Sequence, residues 1–287
     1  MSILINRRTR VITQGMTGLG GRLHTARCRA YANGRKCFVA GVTPGKGGQS
    51  VDGVPVYDTV RAARAATGAS VSVVYVPPLL AAHAILEAVE AELDLVVCVT
   101  TGVPEADMDR ILERMRGSRT LLLGPNCPGI VVPGEIAVGI LPAEAFAGGR
   151  IGVMSRTGAR GPDIARRLAA SGMGLSTAVG IGGDAMGGLR FADVMQLFNA
   201  DPGTDGVLMV DELGANSPLD AAEERAFAQW IRDHAHKPIA ALLLGTGPAA
   251  DARAATMEAC GVRVGRDVEA MGELLAALVA PECLPFD

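Results

Sequence analysis

Apolar positions along this chain fall into short solid blocks separated by longer amphipathic stretches. The blocks at residues 11–13, 37–43, 54–57, 71–76, 95–100 and 120–124 read as strands buried on both faces. Between them, 20–32, 59–68, 79–92 and a stretch opened by Pro104 carry the helical period. Ala82, Ile85, Leu86 and Val89 line one helix face, and Met108, Ile111, Leu112 and Met115 another. Residues 126–149, with Pro128, Pro133, Pro142 and several glycines, read as a linker. The alternation then resumes. Strands are predicted at 150–155, 175–182, 206–210, 238–244 and 262–264. Helices are predicted from Pro162 to Ser171 and at 191–199, 218–234, 249–260 and 267–279. The order predicts an α/β protein of two parallel, doubly wound sheets with right-handed crossovers, residues 1–125 and 126–287.

Composition agrees with that class. The chain has 287 residues, 49% hydrophobic and only 3% aromatic, so its core must be aliphatic. A formal charge of −3 without a basic run argues against nucleic acid. The six cysteines, at 28, 37, 98, 127, 260 and 283, show no C-x-x-C spacing and suit the reduced thiols of a cytoplasmic protein. The opening residues 1–8 are too short for a signal peptide, and no apolar run reaches membrane-spanning length.

Chemistry concentrates where strands end. Gly15-Met16-Thr17-Gly18-Leu19-Gly20-Gly21 follows the first strand and opens a helix. Glycines let a phosphate approach the backbone, and the N–H groups of a helix start point at it. The nicotinamide fingerprint G-x-G-x-x-G is incomplete, because Leu23 stands at its third glycine. The second strand ends not in an acid for a ribose diol but in Thr43-Pro44-Gly45-Lys46-Gly47-Gly48. A lysine there suits a ribose phosphate, which NADP and coenzyme A both carry. In a parallel sheet Thr17, Gly18, Leu19, Gly20, Lys46, Pro77, Val99, Thr100 and Thr101 surround one crevice. Cys127, in Gly124-Pro125-Asn126-Cys127-Pro128-Gly129, lies just past the last strand of that sheet, in a loop placed to line the same site. A second anion site is expected at the helix start after Ser155, with Thr157, Gly158 and Pro162. His24 and His83 lie on helices and read as packed or solvated.

Several of these runs resemble the α subunit of succinyl-CoA synthetase. They are Gln14-Gly15-x-Thr17-Gly18-x-x-Gly21, residues 41–48, residues 124–129, Ser155-Arg156-Thr157-Gly158 and Gly180-Ile181-Gly182-Gly183-Asp184. The similarity runs from residue 1 to about residue 245. It implies a Rossmann-like CoA-binding domain followed by a flavodoxin-like ligase domain, and a partner β subunit of ATP-grasp fold that holds ATP or GTP with Mg. It implies CoA contacts at 17–20, Lys46 and 99–101 and, within the shared 124–129 run, at Asn126 and Cys127. The third position of 99–101, usually glutamate in the family, is Thr101 here. The family passes phosphate through a histidine on a long glycine-rich loop. Here Gly245-Thr246-Gly247-Pro248-Ala249-Ala250-Asp251 runs directly into a helix, and the four histidines, 24, 83, 234 and 236, lie elsewhere. A phosphoramidate is a high-energy donor, and an ester at Thr246 would be a weak one. Glu212 matches the glutamate that steadies the phosphohistidine, so without that histidine its catalytic role is open. Pro162 replaces a residue, usually tyrosine, near the carboxylate substrate, so the acid is expected to differ from succinate.

Three functions follow from the residues and the resemblance. The first is an acyl-CoA ligase subunit that works without the relay on a small carboxylic acid. The second is a catalytically silent CoA-binding subunit that regulates or scaffolds a partner. The third is an NADP-dependent oxidoreductase, which ranks last because no Tyr-x-x-x-Lys or comparable hydride-transfer set is present.

Overall fold

A computed structural model describes residues 2–156, 161–184, 186–212 and 221–279. The first sheet contains β1 (Val11–Gln14), β2 (Phe38–Val42), β3 (Ser50–Val51), β4 (Val54–Tyr57), β5 (Val71–Val74), β6 (Leu95–Cys98) and β7 (Leu121–Leu123), in the order β3-β4-β2-β1-β5-β6-β7. Its helices are α1 (Leu19–Ala30), α2 (Gly34–Cys37), α3 (Val60–Thr67), α4 (Pro78–Glu90) and α5 (Glu105–Met115). Alternate residues divide between its faces. Val11, Val73 and Val97 face one core, and Ile12, Val74 and Val96 face another that takes Ala63, Ile85 and Ile111 from α3, α4 and α5. Burial on both faces is why these strands are largely apolar, with buried Gln14 Nε2 donating to Ser72 Oγ (2.9 Å). α3 shows both end signals. Thr59 accepts from the Ala62 N–H (3.1 Å), and Gly68 closes the helix at φ +66°.

The second sheet contains β8 (Gly129–Val132), β9 (Ile136–Gly139), β10 (Gly148–Ser155), β11 (Leu175–Gly180), β12 (Gly206–Glu212), β13 (Ile239–Leu244) and β14 (Arg263–Gly265), in the order β14-β13-β12-β10-β11-β8-β9. α6 (Gly161–Ala170) and α10 (Met271–Val279) cover one face. α7 (Phe191–Ala200), α8 (Ala221–His234) and α9 (Pro248–Glu258) cover the other.

Three expectations need correction. Residues 126–149 are not a linker, because β8 and β9 form a hairpin that joins the second sheet antiparallel to β11. Neither sheet is wholly parallel, since β3 also runs antiparallel to β4. Cys37 ends the short helix α2 rather than opening a strand. The hairpin is the seam of the molecule. Cys28 Sγ (3.3 Å) and the Tyr75 hydroxyl (3.1 Å) both donate to the Gly139 carbonyl, and Asn33 Nδ2 donates to that of Glu135 (3.1 Å). Ile130, Val138, Met154 and Val179 share one buried cluster with Val11, Val97 and Leu123 of the first sheet. Each such side chain contributes about 1.5–3 kcal/mol when fully buried.

Among the described residues, no helix is long and apolar enough to cross a membrane.

Candidate functional site

The glycine turn is built for close backbone approach. Gly15 sits at φ +83°, and its carbonyl accepts the Gly18 N–H (3.0 Å). A Cβ on Gly21 would stand 2.2 Å from the Gly15 oxygen, so only glycine lets α1 seat on the turn. Gly21 therefore fills the close-packing role that the fingerprint gives to its third glycine, two residues before Leu23. Gly20 is different. A Cβ there would meet nothing within 4 Å, so packing within the chain does not require a glycine. Thr17, Gly18, Leu19 and Gly20 are all exposed, and the first turn of α1 has neither an acid nor a side-chain cap. Its N–H groups face the crevice with the positive end of the helix dipole behind them.

The basic loop closes the next side. Lys46 is exposed at its tip; its N–H donates to the Thr43 carbonyl (3.0 Å), and Asp58 Oδ1 accepts the Gly47 N–H (2.8 Å). The Thr17 hydroxyl reaches that of Thr43 (3.3 Å), linking turn and loop. Pro77 leads into α4 and is exposed. Thr100 Oγ1 donates to the Val76 carbonyl (2.7 Å), and Val99 and Thr100 are half-buried beside exposed Thr101. The structure thus brings residues 17–20, 46, 77 and 99–101 to the carboxyl edge of β1, β2, β5 and β6.

Asn126 adjoins this edge. Its N–H donates to the Thr100 carbonyl (2.9 Å), and its Nδ2 donates to Asp184 Oδ1 (2.8 Å) on the second sheet's side. Cys127 departs from expectation. It is 1% exposed, its thiol donates into the core to the Leu123 carbonyl (3.3 Å), and burial pushes its pKa far up. Its side chain cannot line the crevice. Cys98 is likewise buried and pushed up to about 12.

On the second sheet, Ser155 ends β10 and is buried, and its carbonyl accepts the Ile181 N–H (2.7 Å). Thr157 and Gly158 lie outside the described residues. The guanidinium of Arg156 stands 5.3 Å over the Phe191 ring. Glu212 ends β12, exposed, and its N–H donates to Asp211 Oδ1 (2.9 Å).

Behind it lies an ion triad that the sequence did not reveal. Arg253 Nη1 faces Asp211 Oδ2 at 2.8 Å, and its Nε faces Glu224 Oε1 at 2.5 Å. The Asp211 and Arg253 side chains are each 2% exposed. Burial pushes the Glu224 carboxyl up, and the nearby Asp211 charge adds to that, against the opposing pull of Arg253. An arginine on a helix carries no sequence signal for such a pairing. Asp184, by contrast, stood in a motif already singled out.

β13 and α9 are joined by Gly245, Thr246 and Gly247. Arg266 clamps this turn, donating to the Gly245 carbonyl (3.1 Å) and to Asp251 Oδ1 (2.9 Å). His234 stacks on Trp230 (5.5 Å) at the end of α8, and His24 stacks on Tyr75 (5.5 Å). Among the described residues no His/Cys/Asp/Glu group could hold a metal ion.

The CoA binding domain model matches residues 6–102, and the succinyl-CoA ligase like flavodoxin domain model matches residues 148–275. Succinate–CoA ligase [ADP-forming] subunit alpha of Aquifex aeolicus is 44% identical over 247 residues, 85% of this chain and 78% of that protein. The chain belongs to the succinate–CoA ligase α-subunit family. The family member of the same description from Staphylococcus aureus strain Mu50 is 40% identical over 293 residues, 96% of this chain and 94% of that protein.

Solved structures agree in fold. An ATP citrate lyase from Methanothrix soehngenii, in complex with citrate and coenzyme A, superposes with a TM-score of 0.78 at 20% identity, over 99% of this chain and 54% of that one. A dinucleotide-forming acetyl-coenzyme A synthetase 1 from Ca. Korarchaeum cryptofilum, with phosphate and ADP, gives 0.73 at 19% identity, over 94% and 61%. The chain spans little more than half the length of these solved chains.

Proposed function

We propose that this chain is the CoA-binding α-type subunit of a nucleotide-dependent acyl-CoA ligase that works without a phosphohistidine relay. The observation carrying this is the crevice itself: unhindered Gly20, an acid-free helix start and exposed Lys46 on one sheet edge. The N–H groups of Leu19 and Gly20 would hold a pyrophosphate, Lys46 a ribose phosphate, and Thr17, Gly18, Pro77 and 99–101 the remaining wall. Asn126 would fix the loop where the two sheets meet. An ATP-grasp partner would bind ATP or GTP with Mg and activate the carboxylic acid as an acyl phosphate. Thioester formation with the CoA thiol then releases inorganic phosphate. This chain would supply N–H donors for the departing charge from the segment after Ser155, where Thr157 and Gly158 lie outside the described residues. Glu212, exposed at the end of β12, would face that exchange.

The three-residue turn between β13 and α9 favours a second reading, a silent CoA-binding subunit that scaffolds or regulates its partner. One assay separates them: the complex with its partner, given γ-labelled ATP, CoA and a panel of acids. The ligase reading predicts thioester and no label on this chain. Bound CoA without thioester from any acid supports the silent subunit. Label on a histidine of this chain contradicts both.

A further inference from the structure

A cavity beside the second sheet lies apart from the crevice of the first. It lies between the first turn of α7 and the middle of α8, with Arg253 of α9 also lining it, and has a volume of about 290 Å³. Phe191, Phe227 and Trp230 wall it, and Glu224 with Arg253 closes one end. The chain has six phenylalanines and a single tryptophan, so two of the former and the latter at one cavity mark a built apolar wall. The Phe191 and Phe227 rings stack at 6.1 Å. Arg190 stands at the mouth. It also lines the small cleft formed by Pro125, Arg156, Gly182 and Asp184, so the cavity adjoins the place where the two sheets meet.

We propose that this cavity binds an aromatic monocarboxylic acid, with its ring against Phe191, Phe227 and Trp230 and its carboxylate toward Arg190. A guanidinium has five N–H donors, so Arg190 can serve a carboxylate beside its existing contacts. A volume of about 290 Å³ lies at the small end of ligand pockets and suits a one-ring or two-ring acid. Dicarboxylic acids are disfavoured, because a second carboxylate inside would face Glu224 from apolar surroundings. Amines are disfavoured because Arg190 lines the cavity and the Arg156 guanidinium stands over the Phe191 ring. The relatives are named for succinate, and an aromatic acid would be a different substrate. The role of the acid as substrate rests on the ligase reading. Its binding does not.

Trp230 is the only tryptophan, so its emission reports occupancy directly. Titration of the full chain with phenylacetate should give a saturable change, with succinate weaker by about tenfold or more. Ala226→Glu, at an exposed rim position, should weaken phenylacetate by about tenfold without disturbing the core. Arg190→Gln should weaken phenylacetate by about tenfold and leave benzyl alcohol, its neutral analogue, unchanged. No saturable change with phenylacetate, or equal affinity in the Ala226→Glu variant, would overturn the site. Calorimetry with CoA on the same sample keeps the two claims apart. CoA bound and phenylacetate ignored defeats only the cavity, and the reverse defeats only the crevice. Phenylacetyl thioester made by the complex with its partner establishes the acid as substrate. Altered turnover of another acid, with no phenylacetyl thioester, overturns that role.

Discussion

Asn126 Nδ2 donates to Asp184 Oδ1 across 2.8 Å, and this bond ties the loop after the first sheet to the loop after β11 of the second. Asn126 holds a left-handed backbone, φ +53°, and its own N–H is spent on the Thr100 carbonyl. The side-chain bond therefore fixes a strained residue between both halves of the candidate site.

A double-mutant cycle over Asn126→Ala and Asp184→Ala should return a coupling of about 0.5–1.5 kcal/mol in urea unfolding. Additive effects of the two substitutions would show that the bond contributes nothing in solution.

Gly21→Ala should cost about 1–3 kcal/mol, because its Cβ would stand 2.2 Å from a backbone oxygen that a well-packed turn cannot move cheaply. CoA affinity should fall with it, since the same displacement opens the glycine turn. Gly20→Ala is the contrast. Its Cβ meets nothing in the chain, so it should fold normally and lose CoA affinity alone.

What the sequence disclosed follows from where burial is two-sided. Strands such as β5 and β6 are almost wholly apolar, and the strand ends placed residues 17–20, 46, 77 and 99–101 together. The β8–β9 hairpin escaped because its glycines read as linker. In the structure those glycines are packing necessities. A Cβ on Gly129 would lie 2.1 Å from the Val138 oxygen, and one on Gly139 would lie 2.6 Å from the Gly129 Cα. Cys127 misled in the opposite sense, since its place after a strand suggested a crevice while its side chain turns into the core. The Asp211–Arg253–Glu224 triad joins residues of β12, α9 and α8, and no local pattern announces such a contact.

Arg253→Met should destabilise the fold by about 3–5 kcal/mol, because it leaves the Asp211 carboxylate buried without its partner. Thermal or urea midpoints at neutral pH check this. The paired change Arg253→Met with Asp211→Asn should recover part of the loss.

Glu224 gives a pH signature. Its folded pKa lies above the unfolded value, so its contribution to stability is complete below the unfolded pKa and is lost as pH rises through the folded one. The stability of the native chain relative to Glu224→Gln should therefore fall between about pH 4 and pH 7. Urea midpoints of both proteins at the two pH values test it, and a difference that grows with pH would contradict the assignment.

The most direct measurement of the whole account is a calorimetric titration of this chain with CoA, 3′-dephospho-CoA and NADPH, repeated on Lys46→Ala. The crevice predicts one CoA per chain, weaker binding of the dephospho form by about tenfold, and no NADPH binding. In Lys46→Ala the two CoA forms should bind alike. CoA that fails to bind, or binds Lys46→Ala as well as the native chain, would contradict the assignment of the amino-terminal glycine turn and its basic loop as a CoA site.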